Sequence, residues 1–237
     1  YLDLFVRAMS KSWRGNIYYI DLFSGPGRCV IRETGEEVDG SPLIALKYKF
    51  ARYIFVDIEE ENIKSLKERC ESRAYFNRTF FIKKDCNQAI DEIKKLIPKN
   101  SLSIAFVDPF GLDFDFSSYE KLTEDRKIDL IINFPVGMAI KRNYSLPDHK
   151  KLDTFLGGDN WKQPKINNPT SYFINYFKNN LKNIGYKIPK EFDITGDVLV
   201  KTKTKEVPLY YLLFASQHPL GTTFWRKIRK YDPWGQS

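Results

Sequence analysis

Four apolar runs in the first half of this chain each close on an aspartate followed by a turn. Tyr18–Ile20 leads to Asp21, Phe55–Val56 to Asp57, a third run to Lys83–Lys84–Asp85, and Phe106–Val107 to Asp108. One such end means little, but four in order indicate successive strands that each deliver an acid at the carboxyl end. The first is the richest: Tyr18 to Cys29 reads YYIDLFSGPGRC, so Asp21 is followed by Gly25, Pro26 and Gly27. Glycine lacks a Cβ, so backbone there can come close to a polar ligand at the strand end.

The elements between these ends alternate. Strands are expected at about Ile17–Phe23, Tyr53–Val56, Thr79–Ile82, Ser103–Val107 and Asp129–Asn133, the last two apolar enough to be covered on both faces. Helices are expected at Leu2–Met9, from Ser41 (Ser as N-cap, Pro42 at the first helical position), over Glu60–Arg73 and over Asn87–Leu96. Strand–helix alternation of this kind indicates an α/β fold with a parallel sheet and right-handed crossovers. Between Cys29 and Gly40 the chain instead reads as a short inserted hairpin (residues 28–40) turning near Gly35, where a helix would ordinarily begin. Residues 139–170 are polar and read as a long loop or lid that recognises substrate. A helix over Ser171–Asn183 carries Phe173, Tyr176, Phe177 and Leu181 at core-packing spacing, and Asp197–Thr204 with Pro208–Ser216 reads as a closing antiparallel hairpin.

At 237 residues and 42% apolar content, one large core over 1–237 is expected, without a second independent domain. No apolar run approaches the ~20 residues that a membrane helix needs. No secretory signal is visible, and the absence of an initial Met suggests that the true start has been lost. Cys29, Cys70 and Cys86 are isolated, with only His149 and His218 besides, so no metal site is expected and reduced thiols of a cytoplasmic protein fit best. A net charge of +8 favours an anionic partner, nucleic acid among them, although lysine-rich surfaces also serve solubility. The dinucleotide fingerprint is not met: Val30 and the hairpin stand where a third glycine and an immediate helix belong.

This order resembles the Rossmann-like class I S-adenosylmethionine-dependent methyltransferase fold, a mostly parallel seven-stranded sheet with a C-terminal antiparallel hairpin. YYIDLFSGPGRC, the delayed GSPLIAL helix, KKDCNQAI, VDPFGL and YYLLFASQHPLG together resemble the three-Cys-motif partner protein family, TcmP. That family is named for a neighbouring protein with a cysteine motif, so the three cysteines here do not carry the resemblance.

The resemblance implies a cofactor, S-adenosyl-L-methionine, and residues to hold it. Asp21 with Phe23, Gly25 and Gly27 would meet its methionine part; the plain alternative is a tight strand-exit turn. Asp57, with Ile58 after it and Glu59 as a nearby substitute, would accept both ribose hydroxyls, or simply cap the next helix. Asp85 and Cys86 would meet the adenine amine, unless Asp85 is a surface turn acid. Asp108, Pro109 and Phe110 would form the catalytic loop, in the place where amino-methyltransferases carry an Asp/Asn-Pro-Pro-aromatic tetrad whose acceptors hold a target amine. Here Phe110 and Gly111 depart from that tetrad. Phe110 either stacks on a ring or buries itself beneath the sheet edge. Asn133, Phe134 and Pro135 could line the same cleft.

Lys141–Arg142 and His149–Lys150–Lys151 lie with Tyr144 and Trp161 in the polar stretch, where phosphate contacts and base stacking are one reading and a solvated surface the other. Lys201, Lys203 and Lys205, and Arg226 to Lys230, read as ordinary surface. The expected function is methyl transfer to a nitrogen or oxygen of a nucleic acid. Cytosine C5 methylation is disfavoured because the strand-four loop lacks a Pro-Cys pair. The rival reading is a partner of a cysteine-motif protein (an iron–sulfur or nucleic-acid-processing one) with little activity alone. Methylation of a protein or small molecule is a third.

Overall fold

The computed structural model describes residues 1–31, 34–135, 138–162, 166, 168–187, 198–201, 208–221, 223 and 225. In chain order the elements are α1 (Leu2–Ser12), β1 (Ile17–Asp21), β2 (Arg28–Val30), β3 (Glu37–Asp39), α2 (Ser41–Ala45), β4 (Arg52–Asp57), α3 (Glu60–Glu71), β5 (Thr79–Lys83), α4 (Ile90–Leu96), β6 (Leu102–Val107), α5 (Phe116–Thr123), β7 (Lys127–Pro135), α6 (Met138–Tyr144), α7 (Lys150–Leu156), α8 (Pro169–Asn183), β8 (Val198–Lys201) and β9 (Pro208–Ala215). The main sheet runs β5-β4-β1-β6-β7-β9-β8, and β2 with β3 makes a separate two-stranded sheet. β9 is antiparallel to β7 and to β8, so the last strand is the reversed one. The residues group into two compact units, Tyr1–Val107 with Leu122–Ile128, and Asp108–Lys121 with Asp129–Ser237, where composition suggests one domain. No helix among the described residues is long and apolar enough to cross a membrane.

In the first unit, β4 and β6 flank β1 in parallel, with β5 beyond β4. Every β1 residue is buried, as parallel strands covered on both faces require. Phe5 of α1 packs on Phe50, and Tyr19, Tyr53 and Phe55 continue that aromatic core in tilted and edge-on contacts. The second helix is capped by extended Gly40 rather than by Ser41, which is its first residue. The fourth helix starts at Ile90, not Asn87, because residues 87–89 form a turn around Asp85.

In the second unit the stretch expected to be a loop contains α6 and α7 and packs inward. Leu152, Phe155 and Leu156 of α7 are buried against α8, where Phe155 stacks on Phe177 at 5.6 Å. Trp161 is only 2% exposed, edge-on to Phe173 at 5.2 Å, and donates its indole N–H to Asp153 at 2.7 Å. A base-stacking role for Trp161 is therefore wrong: its ring is spent on core packing. The α8 aromatics behave as their spacing predicts, with Phe173 and Phe177 fully buried. Asn168 caps α8 through its side chain, accepting from Ser171 N–H at 3.2 Å. The connection around Lys203 and Lys205, and the Arg226–Lys230 cluster, lie outside the described residues.

Candidate cofactor and substrate sites

The turn after β1 is tied to both neighbouring strands. Leu22 N–H still bonds β6 at Phe106, whereas Ser24 N–H and hydroxyl bond Val56 of β4. The chain thus crosses from one neighbour to the other at the point where the strand order reverses, which is where open α/β sheets bind ligands. Gly25 N–H then donates to Asp57 Oδ2 at 2.8 Å, while Asp57 Oδ1 accepts from Glu59 N–H at 2.8 Å and Asn62 Nδ2 at 3.1 Å. One carboxylate gathers the glycine turn and the start of α3. Asp21 sits two register steps from Asp57 on the adjacent strand, wholly buried, accepting from Tyr19 hydroxyl at 3.2 Å and Phe23 N–H at 3.4 Å.

The two glycines do different work. Gly25 (φ +58) has nothing within 4 Å of the place where a Cβ would point. Gly27 (φ +84) would set a Cβ 2.6 Å from Leu66 Cδ1 and 3.4 Å from Leu43 Cγ. Gly27 therefore faces the protein's own core, and of this pair only Gly25 presents an open backbone to a ligand. Gly27 O accepts from Gly40 N–H at 2.8 Å, which closes the base of the β2–β3 hairpin, and Arg69 of α3 donates to Pro26 O. Asp39 at the hairpin's end pairs with Lys47 at 3.1 Å and Arg73 at 3.3 Å.

Ile58, directly after Asp57, is 57% exposed. Asp85 Oδ1 accepts from Asn87 N–H at 2.9 Å and Gln88 N–H at 3.4 Å, so what the structure shows of it is a turn acid. Cys86 is buried. Sequence reasoning missed Asn62 and Arg69; Asn62, in the first turn of the helix five residues after Asp57, carried a visible local signal.

In the second unit, Asp108 Oδ1 accepts a short bond from Asn133 Nδ2. Burial pushes the Asp108 carboxyl above the usual carboxylate range, only partly opposed by that bond. Pro109 is buried, but Phe110 is fully exposed, at 103%, so the alternative that it buries itself beneath the sheet edge is wrong. Lys151 pairs with Asp113 at 2.6 Å. Arg142 is exposed on α6; the Lys141 side chain lies outside the described residues.

No family model matches the chain, and no curated protein matches it. Among solved structures, protein LPL1258 from Legionella pneumophila aligns over 99% of this chain and 91% of its own, at 9% identity and a TM-score of 0.57. Magnesium protoporphyrin IX methyltransferase from Synechocystis, solved with bound S-adenosylmethionine, aligns over 92% of this chain and 78% of its own, at 14% identity and a TM-score of 0.44. A conserved hypothetical protein of Streptococcus pyogenes matches 49% of this chain, which spans 66% of that protein (15% identity, TM-score 0.36). The likeness to the Legionella protein is one of fold.

Proposed function

We propose that this protein binds S-adenosylmethionine at the strand tips of its first unit and directs its methyl group to a nitrogen or oxygen of a nucleic acid. The observation that carries this reading is the Asp57 carboxylate, which holds the open backbone of Gly25 at the sheet's reversal point. The residues present fit an adenosyl sulfonium better than a diphosphate. Asp21, Asp57 and Asp85 come from successive strand ends, and their negative charge suits a cation and opposes phosphate. The glycine turn runs into a hairpin, so no helix N-terminus follows it to bind an anion.

When bound, the cofactor supplies a methyl group on a good leaving group, so this chain's residues need only bind, exclude water and align. Asp57 and Gly25 would hold the nucleoside part, Ile58 would cover the base, and Asp21 would sit near the ammonium. Asp108 would orient the acceptor. Net charge +8 supports a nucleic acid. The motifs shared with TcmP support membership of that family. A second reading follows: the chain works on, or with, a cysteine-motif partner. The fully exposed Phe110 is a ring that such a partner would cover, as a substrate would.

Calorimetry with S-adenosylmethionine on wild type and Asp57→Ala, with melting curves to show that both are folded, tests the cofactor. Saturable binding that the folded variant loses is expected; no binding by wild type refutes the reading. Tritium transfer to DNA, RNA and cell extract, with Asp108→Ala as control, tests the reaction. Label that reaches nucleic acid equally with the variant refutes the role of Asp108. Cofactor binding with label transferred only when a partner protein is added supports the second reading.

A further inference from the structure

Charge is divided along the strands of the first unit. Asp21, Asp57 and Asp85 stand at or just past carboxyl ends. At the amino ends the sign is opposite. Three connections of this unit meet there: residues 13–16 before β1, residues 97–101 before β6, and residues 124–127. They are tied to one another by side chains. Asn16 Nδ2 donates to Asn100 O at 2.5 Å, and Arg126 donates to Lys94 O at 3.2 Å. Lys99 pairs with Asp125 at 3.1 Å, and the Lys127 ammonium lies 5.0 Å over the Trp13 ring. Arg14, Lys99, Arg126 and Lys127 are thereby gathered at one edge, with Lys11 in the last turn of α1 and Lys94 in that of α4.

Part of this clustering has a plain cause. Lys11 and Lys94 complement the negative ends of their helices, and Glu124 and Asp125 answer Lys94 and Lys99. That account does not reach Arg14 or Lys127, both of them exposed. Arg14 directly follows Trp13, the C-cap of α1, and has a φ of +51, where a helix exit ordinarily takes glycine. Among the described residues, the two non-glycine positions with positive φ are Arg14 and Asp125, and both lie in this patch. An arginine is therefore held here at a steric cost that glycine would avoid. Lys127 is held by a ring, which fixes the cation without neutralising it. Cations brought together on cross-linked connections repel one another, and a polyanion relieves that repulsion without a large ordering penalty.

We propose that this edge is a docking surface for single-stranded nucleic acid, with phosphates on Arg14 and Lys127 and a base against Trp13. Lys99 and Arg126 add charge beside them. The half-buried indole selects the single strand, whose bases are free to stack beside its phosphates. Length selects a polymer over a lone nucleotide. β1 has five residues, ~17 Å, so this edge and the strand tips lie that far apart. A chain of phosphates spans such a distance, and a single nucleotide does not. The inference rests on the proposed function only in taking a nucleic acid as the partner. It holds whether or not a methyl group is transferred.

The test is fluorescence anisotropy of a labelled single-stranded oligonucleotide of mixed sequence, titrated at several salt concentrations. Wild type is compared with the double variant Arg14→Gly, Lys127→Gln and with Lys64→Gln, Lys67→Gln, which removes two exposed charges from α3 instead. Wild type should bind saturably and more weakly as salt rises. The Arg14, Lys127 variant should lose about tenfold in affinity, and its salt slope should be shallower by ~1.4, two phosphate contacts at ~0.7 each. The α3 variant should change neither. Arg14→Gly alone should melt no lower than wild type, because it relieves the left-handed arginine. No binding by wild type overturns the inference, as does an equal loss in the α3 variant or none in the Arg14, Lys127 variant. Tighter binding of a duplex of the same sequence overturns it too, as does capture by phosphatidylserine vesicles with no oligonucleotide bound. Calorimetry with S-adenosylmethionine on the same proteins separates the two readings. Oligonucleotide binding without cofactor binding brings down the cofactor reading and supports this one, and the reverse result brings down this one alone.

Discussion

Gly25 and Gly27 differ by two positions and share a positive φ, so replacing each with alanine separates a ligand-facing glycine from a packing one. At Gly25 (φ +58) nothing lies within 4 Å of the new Cβ, so the cost is backbone strain alone, ~1–2 kcal/mol for a left-handed L-residue. At Gly27 (φ +84) the same strain applies, and the Cβ also meets Leu66 Cδ1 at 2.6 Å. Leu66 and Leu43 are fully buried and cannot swing into solvent. Overpacking of this kind adds ~1–3 kcal/mol, which gives ~2–5 kcal/mol in total. For a chain of this size the expected fall in Tm is ~4 °C for Gly25→Ala and ~10 °C for Gly27→Ala. Affinity should order the other way. Well below the melting transition, Gly27→Ala should still bind S-adenosylmethionine, whereas Gly25→Ala should lose binding, because its methyl group projects into the open space beside Asp57. Circular dichroism melts and calorimetry on the same preparations decide it. Equal loss of stability in the two variants refutes the packing role of Gly27. Wild-type affinity in Gly25→Ala means that no cofactor approaches this turn.

Two pH dependences follow from the carboxylates. Burial alone would raise Asp39, but the Lys47 bond and the charges of Arg73, Lys47 and Arg28 outweigh it and hold the carboxyl below its usual range. A carboxyl lowered in the folded state stabilises above its unfolded value, about pH 4, and that contribution fades as pH falls through the folded value. Urea unfolding should therefore find Asp39→Asn less stable than wild type at neutral pH, with the gap closing in acid. Asp108 has the opposite sign: its carboxyl is raised by burial, so the folded protein binds that proton more readily than the unfolded chain. Asp108→Asn should be the more stable protein at neutral pH and lose that advantage as wild type gains stability toward acid, while methyl transfer falls. A variant less stable than wild type at neutral pH in the same urea series would refute the sign.

The parallel strands are legible in the sequence because burial on both faces leaves them few polar letters: β1 is buried at every position and β4 at its four central ones. The strand-end acids are legible because a turn follows each. What each acid holds is not, since the partner is set by the sheet: Gly25 reaches Asp57 across 32 positions. The polar stretch from Ala139 misleads for another reason. α6 and α7 are seven residues each, so one buried side supplies only a few apolar letters, and exposed Arg142, Lys150 and Lys151 dominate the reading.

The occupancy of Asp57 sharpens how a ribose could be held there. A carboxylate offers about four acceptor sites, and Gly25, Glu59 and Asn62 already fill three of them. A vicinal diol needs two, so on the proposed reading one existing bond has to open. The Gly25 and Glu59 donors are backbone groups fixed by the turn and by the entry to α3. Asn62 is different: its amide is on a side chain that can rotate and offer the same N–H to a ribose oxygen instead. The bond to Asn62 is thus the one that binding would exchange, and Asp57 would keep its grip on the glycine turn while it takes the sugar.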